Sequence, residues 1–240
     1  MKNSPPHITQ PQKIHHPSVR IVSYHTPLMR ETPSSACYGY LPRLRFMRQS
    51  LCHDLGLTSV QWLQQVHGKQ VIHAQYSDSK PQADGSFTHQ SGLALSVATA
   101  DCLPVILYSK TQPWIAAVHA GWRGLYQDII TQARSKYPGD PRDLCAWIGP
   151  HISQDCYQVD KAFVDRFNQK DSFYSECFIP VGKRFQANLA RIAMYQLHKL
   201  GLNPNFIEHA NLCTMKNAHL PSYRQDAYRA GRILSLCWLT

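Results

Sequence analysis

Three short apolar runs between residues 92 and 120 constrain the fold of this chain more than any other feature. They read GLALSV, LPVILYS and WIAAVHA, and only a few residues separate each run from the next. Each is shorter than the roughly ten residues of an ordinary helix, and therefore predicts a strand. Pro104 has no N–H to donate to a sheet, so we expect a real break between the first two strands at residues 99–104.

The rest of the chain mixes strand-like and helix-like segments. Residues 60–75 predict two strands joined by a tight turn at residues 67–68, and residues 144–150 and 232–240 predict further strands. Helices are predicted at residues 159–169 and 183–201, with Phe185 on the apolar face of the second and Gly201 just beyond its end. A further helix is predicted after the third apolar run, from a stripe of residues four apart: Leu125, Ile129, Ala133 and Tyr137.

Strands outnumber helices in this pattern, which favours an α+β (α/β) fold: a single domain with a mixed β-sheet flanked by helices. The 240 residues show no repeat and no Gly/Ser-rich linker, so we place one domain at residues 19–240. Residues 1–18 are predicted to be a flexible polar tail. The first twenty residues contain four prolines and no apolar stretch of the secretory kind, and no run approaches the roughly 18 apolar residues of a membrane span. We therefore expect a cytoplasmic protein with no membrane partner.

The charge and the cysteines narrow the function classes. The net charge is +10, but the basic residues are scattered and show no recognition-helix or zinc-finger spacing. A phosphate-bearing or nucleotide-like ligand therefore fits better than a nucleic acid. The eight cysteines include no C-x-x-C pair, which predicts mostly small buried side chains rather than disulfides.

Three residues occupy comparable places in the predicted strands. His67 and His119 end strands, Cys102 lies at the break before Pro104, and the predicted metal site is therefore at strand ends. Two imidazoles and a thiolate suit zinc, with a fourth position open to water or substrate. Taken singly, a hydrogen-bonded surface histidine or a core cysteine explains each residue as well. Because 35 and 17 residues separate the three, only the fold can bring them together.

Five motifs carry a resemblance to a known family. They are QVHG at residues 65–68, TADCLPV at 99–105, HAGWRG at 119–124, IGP-I---CY-V at 148–159 and CT-------SYR-D----GR at 213–232. In order and spacing they resemble the laccase-domain proteins, once called multicopper polyphenol oxidases and now described as purine nucleoside phosphorylases with adenosine deaminase activity. The resemblance runs from about residue 56 to the end. It implies a single α/β catalytic domain, with His67, Cys102 and His119 as ligands of a zinc ion.

The resemblance also implies a reaction. A purine nucleoside (adenosine, inosine, guanosine or methylthioadenosine) and phosphate would give the free base and ribose 1-phosphate, and adenosine would be deaminated at the same site. Arginine binds phosphate through a planar fork of donors, and Arg48 and Arg224 match arginines of the family motifs. We therefore predict that both bind substrate and take part in catalysis, while Arg123 braces the turn after His119.

The proton carrier for deamination has two candidates. The H-x-E signature of the familiar zinc deaminases is absent, because none of the three glutamates lies in a ligand motif. Asp101, next to Cys102, is predicted to be catalytic together with that cysteine. Asp84 is the other candidate, either as a proton carrier or as the partner that orients a ligand histidine. A buried or capping carboxylate explains either aspartate as well.

Several positions depart from the family pattern. Before residue 56 the match is poor: Met47 stands in place of an asparagine, although Arg48 and Leu51 remain. Further along, family acidic or basic residues are replaced by amides at Gln158, Asn188 and Gln225. The ligand motifs are intact, so the departures bear on the choice of substrate rather than on the metal site.

Other functions stay open. Cys102 activated by His119 would suit a cysteine hydrolase, and the family resemblance also implies an alternative role as an amidase acting on peptidoglycan precursors. A copper polyphenol oxidase is less favoured, because only two of the 13 histidines lie in the shared metal motifs and copper is the less favoured ion. A pure binding module would require an occluded site. We expect a monomer or a homodimer.

Overall fold

The computed structural model describes residues 8–12, 16–25, 52–77 and 79–240. The strands in these segments are, in chain order, β1 (Ile8–Thr9), β2 (Val19–His25), β3 (Ser59–Gln61), β4 (Val71–His73), β5 (Gly85–Thr88), β6 (Leu93–Thr99), β7 (Leu103–Ser109), β8 (Ile115–Ala120), β9 (Leu144–Ile148), β10 (Gln158–Val159), β11 (Phe178–Val181), β12 (Arg184–Ala187), β13 (Ile207–His209) and β14 (Ile233–Leu239). The α-helices that lie wholly within these segments are α1 (Trp122–Tyr126), α2 (Ile129–Arg134), α3 (Lys161–Lys170), α4 (Leu189–Lys199) and α5 (Tyr223–Asp226).

The strands form two large mixed sheets and one small antiparallel sheet. The six-stranded sheet has the order β13-β9-β7-β8-β5-β4, and the five-stranded sheet has the order β1-β2-β14-β6-β3. Both large sheets are mainly antiparallel, with a parallel pair at each edge of the six-stranded sheet and at one edge of the five-stranded sheet. The small sheet has the order β10-β12-β11. The predicted α+β class with mixed sheets and flanking helices is confirmed, although the strands are divided among three sheets rather than one.

The two large sheets pack face to face. Leu95 and Val97 of β6 point into the same apolar cluster as Ile106 of β7, Ile115 of β8 and Trp147 of β9. Successive side chains of a strand point to opposite faces of the sheet, so the neighbours of these residues along β7 and β8 point the other way. That second face packs against the helices. The six-stranded sheet is therefore the middle layer of three, which explains why its strands β7, β8 and β9 are buried along their whole length.

The side chain of the residue just before each of the two longest described helices caps that helix. The Asp160 carboxylate accepts a hydrogen bond from the backbone N–H of Phe163 and caps α3, and the Asn188 side chain accepts one from Arg191 and caps α4. Gly201, two residues after α4, has a φ of +91°, as expected of the residue that follows a helix end. The strands β7, β8, β9 and β14 and the helix α3 lie where the sequence predicts them.

Residues 60–75 do not form the predicted hairpin. β3 pairs with β6 in the five-stranded sheet, whereas β4 pairs with β5 in the six-stranded sheet. The segment between them crosses from one sheet to the other, so residues 67–68 do not join paired strands. Alternating apolar residues indicate a strand but do not identify its partner, which packing between distant segments decides.

Two helix predictions also need correction. The helix after β8 is broken into α1 and α2 at Asp128, whose φ of +61° is left-handed, although the predicted apolar stripe is buried. The helix predicted from residue 183 begins only at Leu189, because Arg184–Ala187 form β12 opposite β11. Phe185 is therefore a strand residue opposite Pro180 and Val159, and not part of the apolar face of α4.

The ends of the predicted domain stay a prediction. Ile8 and Thr9, which fall in the predicted tail, pair with Tyr24 and Ser23 of β2. Among the residues that the structure describes, no helix has the length and apolar character needed to cross a membrane.

Candidate metal centre

His67, Cys102 and His119 meet where the central strands β7 and β8 of the six-stranded sheet begin and end. One ligand atom from each lies within 4.8 Å of the others. Cys102 immediately precedes β7, and His119 is the last residue but one of β8, opposite Pro104 of β7 in the sheet register. His67 comes from the loop between β3 and β4, not from the end of a strand as predicted. His119 is buried, Cys102 is partly exposed and His67 is exposed, so among the described residues the site is open to solvent on the His67 side.

The Asp84 carboxylate holds the site together from behind. It is fully buried, and its Oδ1 accepts a hydrogen bond from His119 Nδ1 at 2.8 Å. The backbone N–H of His119 also donates to the Asp84 carbonyl at 2.7 Å. Because Nδ1 is bound in this way, the other ring nitrogen of His119 is left for the side of Cys102. The predicted role of Asp84 as the partner that orients a ligand histidine matches this geometry.

The same carboxylate shapes the loop that carries His67. Its two oxygens accept hydrogen bonds from three consecutive backbone N–H groups, those of Val66 at 3.2 Å, His67 at 2.9 Å and Gly68 at 2.6 Å. His67 has a φ of +59°, a left-handed conformation that non-glycine residues rarely adopt. We attribute this conformation to the three bonds, which aim successive N–H groups at one anion.

Gln65 ties the His67 loop to the strand before Cys102. Its side-chain amide donates to the Ala98 carbonyl at 2.8 Å and accepts from the Ala98 N–H at 2.7 Å. These are the two bonds that a neighbouring strand would make with β6. The loop is therefore fixed to both large sheets, to β6 through Gln65 and to β8 through Asp84.

Gly121 forms the floor of the site. A Cβ at this position would lie 3.0 Å from Cys102 Sγ, 3.3 Å from His67 Cδ2 and 3.7 Å from His119 Cε1. A larger residue would therefore push against all three proposed ligands. This cradle fits a small ion held between two rings and one sulfur.

The charges of the site are coupled. Burial opposes ionisation of the Cys102 thiol, but hydrogen bonds from His119 and His67 outweigh it and lower the pKa to about 6. Burial likewise opposes protonation of His119, yet its bonds to Asp84 and Cys102 raise the pKa to about 9. The bonds to His119 and the Gly68 and Val66 N–H groups lower the pKa of Asp84 despite burial. The site therefore favours a thiolate beside a carboxylate, and these anions attract a cation.

Asp101 lies beside the ligand set but is committed to other partners. Its Oδ1 accepts from the Thr214 hydroxyl and its Oδ2 from the Arg224 backbone N–H, both at 2.6 Å. Its carbonyl accepts from the Ile152 N–H at 3.0 Å, and its φ of +86° is left-handed. Asp101 therefore connects the Cys102 loop to three later segments of the chain.

The structure describes two of the three arginines considered in the sequence analysis. Arg224 is exposed at the start of α5, with its guanidinium carbon 4.9 Å from the centre of the Tyr157 ring and Nη1 3.3 Å from the Gln158 carbonyl. Arg123 stacks over Trp122 at 4.5 Å, in keeping with a brace for the turn. Arg48, with Met47 and Leu51, lies outside the described residues.

Two residues near the metal centre that contact Arg224 and Asp101 were not identified from the sequence. Tyr157 and Thr214 both lie inside the motifs that carry the family resemblance, so the signal was present but unassigned. Burial raises the pKa of the Tyr157 hydroxyl to about 12, and the charges of Arg224, Cys102, Arg123 and Asp101 all act on it. Tyr157 therefore lies close enough to these charged groups for each to act on it, and its ring contacts the Arg224 guanidinium.

Comparisons with known proteins show the family to which this chain is similar. A family model described as "Multi-copper polyphenol oxidoreductase laccase" matches residues 43–240. "Purine nucleoside phosphorylase YfiH" of Shigella flexneri is 34% identical over 180 residues, which are 74% of this chain and 73% of that protein. A protein of Xylella fastidiosa named "Purine nucleoside phosphorylase" is 34% identical over 202 residues, 80% and 77% of the two chains.

A solved structure extends the similarity to the whole fold. The Neisseria meningitidis protein NMB0706 superposes with a TM-score of 0.85 at 25% identity, covering 97% of this chain and 98% of that one. The match of the family model to residues 43–240 covers well over half of the chain and includes all three residues of the site. This chain therefore belongs to the multi-copper polyphenol oxidoreductase laccase family.

Proposed function

We propose that this chain is a zinc-dependent purine nucleoside phosphorylase that also deaminates adenosine. The observation that carries the proposal is the convergence of His67, Cys102 and His119 at an open site, with a buried carboxylate behind His119. The names of the relatives from Shigella flexneri and Xylella fastidiosa support phosphorolysis of purine nucleosides. Its substrates would be a purine nucleoside and phosphate.

Zinc fits the donor set better than copper. Two imidazoles and one thiolate are zinc ligands, and three protein ligands with an open position are typical of a catalytic site. A zinc ion held by His67, Cys102 and His119 would act there as a Lewis acid. Within the described residues, this is the one group of His, Cys, Asp and Glu side chains close enough to hold an ion, whereas a multicopper oxidase needs several centres.

Arg224 is the described residue best placed to bind phosphate. Asp101 holds its backbone, and the Tyr157 ring and the Gln158 carbonyl support its side chain. The exposed guanidinium can donate two hydrogen bonds to one phosphate at once. Arg48 is proposed as the second phosphate residue on the motif alone.

The aspartates are proposed as positioning residues. Both oxygens of Asp101 accept hydrogen bonds, from Thr214 and from the Arg224 backbone, which supports positioning of the arginine over the proton transfer predicted from the sequence. Asp84 keeps the His119 ring oriented by accepting a hydrogen bond from Nδ1, which leaves Nε2 for the metal. Cys102 is proposed to act as a ligand, which makes it part of the catalytic centre.

One observation favours a second candidate. Cys102 is hydrogen-bonded to His119, and His119 to Asp84. This is the arrangement of a nucleophile, a base and the carboxylate that orients the base in cysteine hydrolases. In that case no metal would be needed, and Cys102 would attack an acyl carbon, for instance in an amide of a peptidoglycan precursor. A binding module is disfavoured because His67 is exposed rather than occluded in the described part of the chain.

The deciding experiment combines metal analysis with a substrate panel. We expect about one zinc per chain in the purified protein, and base release from adenosine, inosine, guanosine or methylthioadenosine only when phosphate is present. Loss of activity on chelation, with recovery on adding zinc, would support the metal. Zinc below about a tenth of an equivalent in fully active protein, with an alkyl or acyl adduct at Cys102, would instead establish the hydrolase.

The variant Arg224→Met tests the phosphate site. Losing a charge-assisted contact of two hydrogen bonds should lower phosphorolysis at fixed phosphate by roughly 30- to 1000-fold, whereas deamination, which uses water, should fall far less. Arg142→Met is the control, since Arg142 is an exposed arginine paired with Asp140. An equal loss of both activities with zinc retained would show that Arg224 binds the nucleoside or supports the fold instead.

The cytoplasmic location and the monomeric or homodimeric state stay predictions.

A further inference from the structure

Two loops beside the metal centre are bound to each other along their backbones. The N–H of His151 donates to the Leu212 carbonyl at 3.1 Å, and the N–H of Thr214 donates back to the His151 carbonyl at 3.0 Å. This places Cys213 opposite His151. The first loop continues into a 3-10 turn at Gln154–Cys156. A cysteine from each loop, Cys156 and Cys213, is thereby brought to the same spot.

Cys213 lies in a nest of hydrogen-bond donors. Its Sγ accepts from the Ser153 N–H at 3.3 Å and is 2.9 Å from the Ser153 hydroxyl. The backbone N–H groups of Met215 and Lys216 also donate to it. The Ser153 hydroxyl is 2.5 Å from Asp155 as well, so its single proton is shared between the two acceptors and can turn to the sulfur when the thiol ionises.

Cys156 is the second thiol of the pair. It lies within hydrogen-bonding reach of Cys213, and both side chains are partly exposed. Cys145, Cys177 and Cys237 are buried, and burial raises the pKa of each of these thiols. The pair therefore combines two properties that the buried cysteines lack, access from solvent and a neighbouring thiol.

The two thiols differ in their ease of ionisation. Burial opposes ionisation of Cys213, but the Ser153 hydroxyl and the surrounding N–H groups outweigh it and lower its pKa. Burial raises the pKa of Cys156. A redox-sensitive pair typically consists of one ionised thiol that reacts first and a second thiol that resolves the product.

We propose that Cys156 and Cys213 form a two-cysteine oxidation site, at which a peroxide converts the two thiols into a disulfide. The Cys213 thiolate attacks one oxygen of hydrogen peroxide, the O–O bond breaks, and water leaves after taking up a proton. Cys156 then attacks the sulfur of the resulting sulfenic acid, the S–O bond breaks, and a second water leaves. Two thiols and one peroxide thus give one disulfide and two waters.

Oxidation of this site would also lower the proposed activity, and that part of the inference rests on the proposed function. Cys156 precedes Tyr157, on which Arg224 stacks, and Cys213 precedes Thr214, which holds Asp101. Closing an S–S bond to about 2 Å draws these two loops together. Because small displacements of positioning groups strongly affect catalysis, we expect phosphorolysis to fall about tenfold or more.

Mass spectrometry of the full-length, metal-containing protein tests the site without reference to activity. After a limited dose of hydrogen peroxide we expect a peptide crosslinked between Cys156 and Cys213, removed by dithiothreitol. In Cys156→Ser the reaction should stop at a sulfenic acid on Cys213 that dimedone traps, whereas Cys213→Ser should give no such adduct at Cys156. Cys52→Ser, a change at another partly exposed cysteine, should crosslink as the wild type does.

Two outcomes would overturn the proposal. One is oxidation at Cys52 or Cys102 under a dose that leaves Cys156 and Cys213 as thiols. The other is a dimedone adduct in Cys156→Ser that is no stronger at Cys213 than at Cys52, since we expect a preference of about tenfold. If the crosslink forms in a protein that proves inactive on nucleosides, the oxidation site stands and the proposed function fails.

Discussion

Two pairs of histidines, each with one buried ring, differ in the groups around them. The rings of His67 and His119 are 4.8 Å apart and edge to face, and those of His151 and His209 are 4.7 Å apart and stacked. Both pairs include a buried ring, since His119 is 3% and His151 4% exposed. Geometry and burial are therefore similar.

The chemical partners of the two pairs are opposite in kind. His119 contacts the Asp84 carboxylate and the Cys102 sulfur, and although burial opposes it, its pKa is raised to about 9. His151 donates from Nδ1 to the Gly149 carbonyl at 2.8 Å, so its Nε2 accepts from His209 at 3.2 Å. Burial and the neighbouring His209 lower the pKa of His151 to about 4, and burial lowers that of His209.

The comparison teaches that proximity of imidazoles does not make a cation site. In the described part of the chain, neither the buried His151 ring nor the half-buried His209 ring hydrogen-bonds an acidic side chain, so desolvation, which penalises the charged form, keeps the pair neutral. A buried carboxylate and a thiolate reverse that balance in the first pair and create a place for a cation. We therefore expect metal at the first pair and proton-linked instability at the second.

The largest expected effect comes from removing the sulfur of the first pair. In Cys102→Ser the hydroxyl is a poor substitute for a soft thiolate, so zinc should fall from about one to below about a tenth of an equivalent. Metal analysis of the dialysed protein measures this, and Cys52→Ser is the matched control. Zinc near one equivalent in Cys102→Ser would remove Cys102 from the ligand set and break the comparison.

The next effect tests the carboxylate. Asp84→Asn keeps the shape of the side chain but replaces one acceptor oxygen with an NH₂ group, which cannot accept a hydrogen bond. Each oxygen of Asp84 accepts two hydrogen bonds, so in either orientation the asparagine leaves two donors facing its NH₂ group. We expect zinc affinity to fall about 10- to 100-fold, measured by competition with a chromophoric chelator.

The control for this variant is Asp101→Asn. It makes the same change in a carboxylate that binds Thr214 and the Arg224 backbone instead of a ligand ring. We expect it to lose less zinc affinity than Asp84→Asn. Equal losses in the two variants would show that Asp84 acts through the loop structure and not through His119.

The second pair predicts an acid-sensitive fold. The pKa of His151 is about 4 in the folded chain against the ordinary 6.5, so between these values the unfolded chain binds a proton that the folded chain does not. The free energy of unfolding should therefore fall as the pH drops below 6.5, by about 2 kcal/mol from this group at pH 4.5 and by about 3 kcal/mol once it levels off below about 4.

Urea denaturation at pH 7 and pH 4.5 measures this effect. His151→Asn is the useful variant, because its amide can still donate to the Gly149 carbonyl but cannot be protonated in this range. Its stability should depend less on pH than that of the wild type by the stated amount. The same pH dependence in both proteins would show that His151 does not carry the effect.

The smallest expected effect is none at all. His209→Asn should keep about one zinc per chain, because no acidic side chain of the described residues bonds either ring of the second pair. Metal analysis of His209→Asn beside the wild type is sufficient. A second equivalent of zinc in the wild type that disappears in His209→Asn would end the distinction between the two pairs.

Local patterns predicted much of the fold. The strands β7, β8, β9 and β14 and the helix α3 follow from apolar runs and caps that lie within a few residues of each other. Pairing did not follow, because β3 and β4 are neighbours in sequence yet belong to different sheets. Helix breaks at Asp128 and before Leu189 were missed for the same reason, since tertiary contacts overrode a continuous apolar stripe.

The sequence by itself determined which residue types are available for the site. The motifs around His67, Cys102 and His119 identified the three residues that the fold brings together, and Asp84 was already a candidate for the group behind them. Side-chain chemistry of this kind is a property of the residues and needs no fold to be recognised.

Only the tertiary structure decided how these residues are charged and held. Asp84 reaches the Val66, His67 and Gly68 N–H groups and the His119 ring from positions far apart in the chain, and Asp101 reaches Thr214 and the Arg224 backbone in the same way. A pKa depends on burial and on the charges within a few ångströms, and packing brings these together from distant segments. This is why the pKa of one buried histidine is raised while that of another is lowered.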